Sequence, residues 1–186
     1  MEFTVLKTRV KISPLFFAVL TAFLLADRGG IAAAVISFSL LHELCHFAAL
    51  GALKKAPREV NISAAGISMR LCGMSTAERV LVFAAGAAGN FAAAVVCFAA
   101  DRELFCGVNL AIGIFTMLPL CSTDGGSIFA ALAEKFFPER AKQLCEAVFT
   151  ACGAITAAAL FAAAAVYENP YLLIGAFYAV ICLIKY

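Results

Sequence analysis

"LLHELCHFAAL", residues 40–50, sets two histidines and a glutamate inside a run that otherwise reads as an apolar helix. His42 and His46 stand at i and i+4, so on a helix their rings project from one face, one turn apart. An ionisable side chain within a membrane span costs a few kcal/mol even on lenient insertion scales, so it marks function rather than packing. These two are also the only histidines of the chain. The spacing lets two imidazoles hold one zinc ion with Glu43 beside it. In H-E-x-x-H the glutamate is the general base for a water that the metal activates. Zinc lowers the pKa of such a water to about 7, which makes hydroxide available at neutral pH.

Composition sets the solvent. Of 186 residues, 64% are hydrophobic and 14% charged, whereas a soluble domain carries about a quarter charged residues. The chain therefore reads as an integral membrane protein. "ISPLFFAVLTAFLLADRGG", residues 12–30, has no small-residue cleavage site and is followed by further apolar runs, so it reads as retained rather than as a secretory signal. With no Gly/Ser linker, low-complexity tract or repeat, residues 1–186 read as one domain. A net charge of +2 is too small to imply nucleic acid.

Charged residues punctuate apolar stretches at 12–26, 31–53, 79–100, 104–120, 146–166 and 170–184. Some are short against the roughly 20 residues a span needs, but six spans is the simplest count. With six, the N-terminus, the second and fourth loops and the C-terminus collect Lys7, Arg9, Lys11, Lys54, Lys55, Arg58, Arg70, Arg79, Lys135, Arg140, Lys142 and Lys185 on one side. Only Arg28 and Arg102 fall opposite. By the positive-inside rule both termini are cytoplasmic. The eight cysteines show no C-x-x-C pair and lie mostly in apolar runs, where a thiol packs as a small hydrophobe.

Catalytic zinc usually takes three protein ligands and a water. With no third histidine, a carboxylate or a cysteine must complete the set. "FTMLPLCSTDGGSIF", residues 115–129, offers Asp124, next to helix-disrupting Pro119, Gly125 and Gly126. Irregular backbone at membrane depth is tolerated where protein or a water-filled cavity covers it, which suits a buried metal site. A helix-capping aspartate is the alternative, and Cys121 is a rival ligand. His46 lies eight residues before Lys54, about 12 Å below the cytoplasmic boundary at 1.5 Å per residue. Asp124 lies near the inner end of the fourth span, at a matching depth.

These motifs resemble the site-2 protease family of intramembrane zinc metalloproteases. That family carries H-E-x-x-H on one span and a downstream N-x-x-P-x-x-P-x-D-G-G segment whose aspartate is the third ligand. The resemblance implies one Zn2+ per chain held by His42, His46 and Asp124, with Glu43 as catalytic base. A further family signature, A-G-P-x-A-N, is echoed by "AGAAGN", residues 85–90, so Asn90 corresponds to an asparagine near the active site. Cys45 replaces the usual glycine, Ala87 the proline of the asparagine signature, Thr116 the family asparagine, and Ser122 and Thr123 a Pro-Leu pair. Thr116 therefore occupies a substrate-contact position with a different side chain. The layout most resembles the sporulation branch, which implies a multi-pass protein of a bacterial cytoplasmic membrane. The best-known member of that branch releases a sigma factor from a membrane-tethered precursor. Many of its members carry a C-terminal CBS domain, which residues 1–186 do not include.

The expected fold is an all-α polytopic membrane protein, with about six transmembrane helices and a short β-hairpin after the second. The expected activity is zinc-dependent cleavage in or near a transmembrane segment of a membrane-tethered protein, and the expected partners are that substrate and a membrane regulatory protein. In "EVNISAAGISMRL", residues 59–71, apolar and polar residues alternate on either side of "AAG", a hairpin pattern that competes with an irregular loop. As a hairpin it would offer an edge strand, with Ile67 and Ser68, to an unwound substrate. "AEKFFPERAKQLCE", residues 133–146, reads as a solvated linker, with a membrane-surface helix or a substrate-docking element as the alternatives. The last two apolar stretches show no polar cluster, and runs such as "AITAAALFAAAA" suit close-packed scaffold or gate helices. Two other functions compete. A catalytically silent relative would bind a membrane partner, and a metal transporter would show several polar sites along a path.

Overall fold

In lipid a backbone can satisfy its own polar groups within a helix, and each of the six apolar stretches contains a helix among its described residues. The computed structural model describes residues 1–5, 8–27, 29–63, 66–169 and 172–184. In chain order its elements are β1 (Glu2–Val5), β2 (Thr8–Ile12), α1 (Pro14–Ala26), α2 (Ile31–Ala52), β3 (Glu59–Ser63), β4 (Gly66–Arg70), α3 (Thr76–Ala99), α4 (Glu103–Met117), α5 (Asp124–Phe136), α6 (Ala141–Val166) and α7 (Leu172–Ile184). Lys7, Arg28 and Lys185 of the charge argument, and Ala64 and Ala65 of the hairpin turn, lie outside the described residues.

Among the described residues three helices, α2, α3 and α6, are long and apolar enough to cross a membrane. With 13, 15 and 13 residues, α1, α4 and α7 reach only about 20 Å at 1.5 Å per residue, against a hydrocarbon layer of about 30 Å. The fold is thus a helical, membrane-type one in which three spans meet the length criterion.

The all-α expectation needs correction. The hairpin at 59–71 exists, but it is half of a four-stranded sheet in the order β1-β2-β3-β4. β1 pairs antiparallel with β2, β2 runs parallel to β3 across the α1–α2 crossover, and β3 pairs antiparallel with β4. Alternation explains the extra strands. Val10, Ile12, Val60, Ile62, Ile67 and Met69 share one face by register, while Arg9, Lys11, Glu59, Asn61, Ser68 and Arg70 share the other. Lys11 Nζ lies 3.2 Å from Glu59 Oε1, and this ammonium holds the Glu59 carboxyl below the usual carboxylate range.

The chain forms two compact units, Met1–Phe115 and Thr116–Tyr186. In the first, α2 packs along α3 because α3 presents small residues: an added Cβ at Gly89 would collide with Cys45 Sγ. α3 begins at a capping box, with the Ser75 side chain accepting from Glu78 N and the Glu78 carboxylate accepting from Ser75 N. Exposure is inverted relative to a soluble protein. Val95 and Val96 are 68% and 67% exposed while Asn90 and Asn109 are 0%, which is the pattern lipid rather than water selects. In the second unit, α6 and α7 pack through Gly153 against Leu183, Gly175 against Leu160, and a Phe161–Phe177 edge contact. α5 corrects the linker reading: residues 133–136 are its last turn, and α6 starts at Ala141.

Candidate metal centre

The i, i+4, i+8 stripe of α2, His42, His46 and Leu50, is buried, while Leu40 and Leu44 on the same helix are exposed. Helical periodicity therefore turns both imidazoles inward against α3. Each ring is then fixed at Nδ1. His42 Nδ1 lies 2.7 Å from Asn90 Oδ1, and His46 Nδ1 lies 2.7 Å from the Val82 carbonyl oxygen.

Three backbone carbonyls determine the proton positions throughout this network, because a carbonyl only accepts. Val82 O makes His46 Nδ1 the protonated nitrogen. Phe105 O accepts from Asn109 Nδ2, at 2.8 Å, which turns Asn109 Oδ1 toward Asn90 Nδ2 at 2.9 Å. Phe38 O also accepts from Asn90 Nδ2, at 3.2 Å, so Asn90 Oδ1 faces His42 and requires Nδ1–H there. Both rings are therefore Nδ1–H tautomers with their lone pairs on Nε2.

Those two Nε2 atoms stand 3.1 Å apart, with the rings edge to face. Two lone pairs at that distance repel unless a cation lies between them. Two nitrogens bound at 2.0–2.1 Å to a tetrahedral zinc ion are themselves about 3.3 Å apart. The pair thus has the spacing, the tautomers and the supporting hydrogen bonds of metal-binding imidazoles. Gly86 keeps the space in front of them open: a Cβ there would sit 2.5 Å from each Nε2 atom. The donor set fits zinc.

Glu43 follows His42 on α2, and its Oε2 atom is buried. Asn90 joins the histidines through its contact with His42 Nδ1. Three supporting features were not anticipated: the Val82 carbonyl, Asn109 and the Gly86 opening. Asn109 carried a legible signal, since it is an amide inside an apolar stretch, and such groups are buried with a partner. Ile67 and Ser68 lie on β4, opposite Ile62 and Asn61, and β4 is an edge strand.

The remaining candidates belong to the second unit. Thr116 is half-buried in the last turn of α4. Asp124 is the first residue of α5, after the N-cap Thr123, whose side chain accepts from Gly126 N at 3.3 Å. The positive end of the helix dipole favours a carboxylate there. Gly125 and Gly126 do not break a helix, as the sequence suggested; they admit the loop, since a Cβ on either would strike the carbonyls of Met117 or Leu120. The break lies earlier, over 118–123, where Thr123 Oγ1 also donates to Leu118 O. α7 does carry polar partners for this segment. Tyr178 OH lies 2.8 Å and Cys182 Sγ 3.3 Å from Ser122 Oγ.

Compared with solved structures, the whole chain superposes on 94% of the site-2 protease from Methanocaldococcus jannaschii, with a TM-score of 0.71 and 13% sequence identity. The chain has the site-2 protease fold. No family model and no curated protein matches it by sequence.

Proposed function

We propose that this protein is a zinc-dependent intramembrane endopeptidase that cleaves a peptide bond in or near a transmembrane segment of a membrane-tethered protein. The observation that carries the reading is the pair of Nδ1-tethered imidazoles, with Nε2 lone pairs 3.1 Å apart beside Glu43 on a helix apolar enough to span a bilayer. His42 and His46 are two ligands, and Asp124 is the third. Support for Asp124 comes from its place at a helix N-terminus after an irregular segment, and from the need of catalytic zinc for three protein ligands. Bound there, zinc supplies Lewis-acid polarisation of the scissile carbonyl and acidifies the attacking water.

The chain's own groups do the rest. Asn90 and Val82 O hold the two imidazoles in the ligating tautomer. Glu43 takes the proton of the attacking water and returns one to the leaving amine. Burial of Glu43 Oε2 limits the bulk water that competes for that proton. The substrate must unwind, because a helical peptide bond is shielded by its own hydrogen bonds. β4, an edge strand, receives it by strand addition through the backbone at Ile67 and Ser68, and Thr116 lines its path. Six spans with both termini in the cytoplasm put the centre on the cytoplasmic side.

The test is zinc content and cleavage together, on the full chain in detergent. Wild type should hold about one zinc per chain. Asp124→Ala should lose most of it, and Glu43→Gln should keep zinc while losing cleavage of membrane-tethered substrates. A wild type that binds no zinc removes the proposal. Zinc retained in Asp124→Ala moves the third ligand to Cys121 or another residue.

A further inference from the structure

The sheet of the first unit has a second chemical identity that the metal centre does not use. Register aligns Thr4, Arg9, Glu59 and Arg70 across its four strands, each directly opposite the next. Together with Arg58, which precedes Glu59, they line a cavity of about 400 Å³ on the polar face. Glu59 is already matched: its carboxylate lies 3.2 Å from Lys11 Nζ, and Lys11 also reaches Glu2 at 3.8 Å. Among the described residues, none of the three guanidiniums is in ion-pair contact with a carboxylate. Four cationic side chains here face two carboxylates.

Like charges collected on one sheet face are destabilising; Arg9 and Arg70 share the field of the Glu59 carboxylate with Lys11, and the positive charge left over around one cavity calls for an anion. Their chemistry names its class. A guanidinium presents a planar fork of N–H donors that matches phosphate oxygens two at a time. The setting names the source. β2 ends two residues before α1 begins, and α2 ends seven residues before β3 begins, so the sheet sits at the ends of apolar helices. Its opposite face carries Phe3, Val10, Ile12, Val60, Ile62, Ile67 and Met69, and Phe3 is 47% exposed. An element with one apolar face and one basic face at helix ends lies in the membrane interface, its polar face at headgroup depth.

We propose that Arg9, Arg58 and Arg70 form a binding site for the phosphate of an anionic phospholipid headgroup, which seats the sheet in the interface. The site is separate from the metal centre and does not depend on the proposed peptidase activity.

The experiment uses the full chain in detergent micelles exchanged with an equimolar mixture of phosphatidylcholine and phosphatidylglycerol, with retained lipid counted by native mass spectrometry. Wild type should retain phosphatidylglycerol over phosphatidylcholine about tenfold, and Arg9→Gln/Arg70→Gln should bring the ratio near parity, as loss of two charge-assisted contacts predicts. Arg140→Gln/Lys142→Gln removes the same charge from the second unit and should leave the ratio unchanged. Arg9→Lys/Arg70→Lys, which keeps charge and the least disturbed fold, should fall partway because an ammonium lacks the fork. Parity in wild type, an equal loss in the Arg140/Lys142 pair, or an undiminished ratio in the lysine pair overturns the assignment. Inorganic phosphate that raises the wild-type Tm as much as phosphatidylglycerol does overturns the headgroup as its source.

Discussion

Gly86→Ala is the sharpest perturbation of the metal centre, because it adds one methyl group and removes nothing. That methyl would stand 2.5 Å from both His42 Nε2 and His46 Nε2, about 1 Å inside the ordinary contact distance of 3.5–4.0 Å. To relieve it, α2 and α3 must separate by about that distance or the rings must turn away. The rings cannot turn freely, since Nδ1 of each is held at 2.7 Å by Asn90 Oδ1 or Val82 O. Overpacking of this kind costs about 1–3 kcal/mol of fold stability. The effect on metal should be larger. Ligand distances tolerate about ±0.2 Å, and loss of a mere supporting contact lowers affinity about 10–100-fold, so direct displacement should lower it about 100-fold or more. Chelator-competition titration of zinc on the detergent-solubilised chain measures this, and thermal unfolding of the metal-free protein measures the packing cost separately. Gly107→Ala is the control, because an added Cβ there meets nothing within 4 Å; it should leave zinc affinity unchanged and stabilise α4 by up to about 1 kcal/mol. Wild-type zinc affinity in Gly86→Ala would refute the geometry on which the centre rests.

Asn109→Leu should lower zinc affinity about tenfold, because Asn90 loses the acceptor at 2.9 Å that helps fix its amide; 15N shifts of His42 in the metal-free protein should then report mixed tautomers, and a single Nδ1–H tautomer would remove the relay. Proline at Ile67 or Ser68, at whichever position the backbone N–H points away from β3, should reduce substrate cleavage with zinc content unchanged, and undiminished cleavage ends the strand-addition step. The Lys11 ammonium lowers the folded-state pKa of Glu59, so the contribution of that contact is fully present above the unfolded value near 4.5 and is lost as pH falls through the lower folded value. Amide exchange in β2 and β3 should accelerate across that acid window in wild type and show a flatter pH response in Glu59→Gln; identical profiles would separate the sheet from this ion pair.

How much of this was legible in sequence depends on the periodicity each element left. The six apolar stretches were visible because lipid-facing positions must all be apolar, and α2 announced its site through an i, i+4 pair of ring nitrogens. β1 and β2 leave a weak signal because Lys7, Arg9 and Lys11 dominate the N-terminal segment, although Phe3, Val10 and Ile12 alternate with polar residues as strands require. The parallel β2–β3 pairing could not be seen at all, since it joins segments separated by two helices. α5 was hidden by its glycines, which look like breakers in a string and are in fact close-approach positions against Met117 and Leu120. The roles of Val82 and Gly86 carry no side-chain chemistry: one offers a carbonyl and the other an absence of volume, so only coordinates reveal them.

The bonds that fix His42 run across three helices, from Phe38 and His42 on α2 through Asn90 on α3 to Asn109 on α4. That has a consequence for how the chain is made. An amide entering hydrocarbon without a partner loses about the full value of its hydrogen bonds to water, and Asn90 finds no protein partner on its own helix among the contacts described. α3 therefore gains from leaving the insertion machinery in company with α2, already synthesised, and from waiting for α4 to follow. The order of synthesis, α2 then α3 then α4, is the order in which the partners become available, so assembly of the imidazole pair is coupled to membrane integration rather than left to a later search between separately inserted helices.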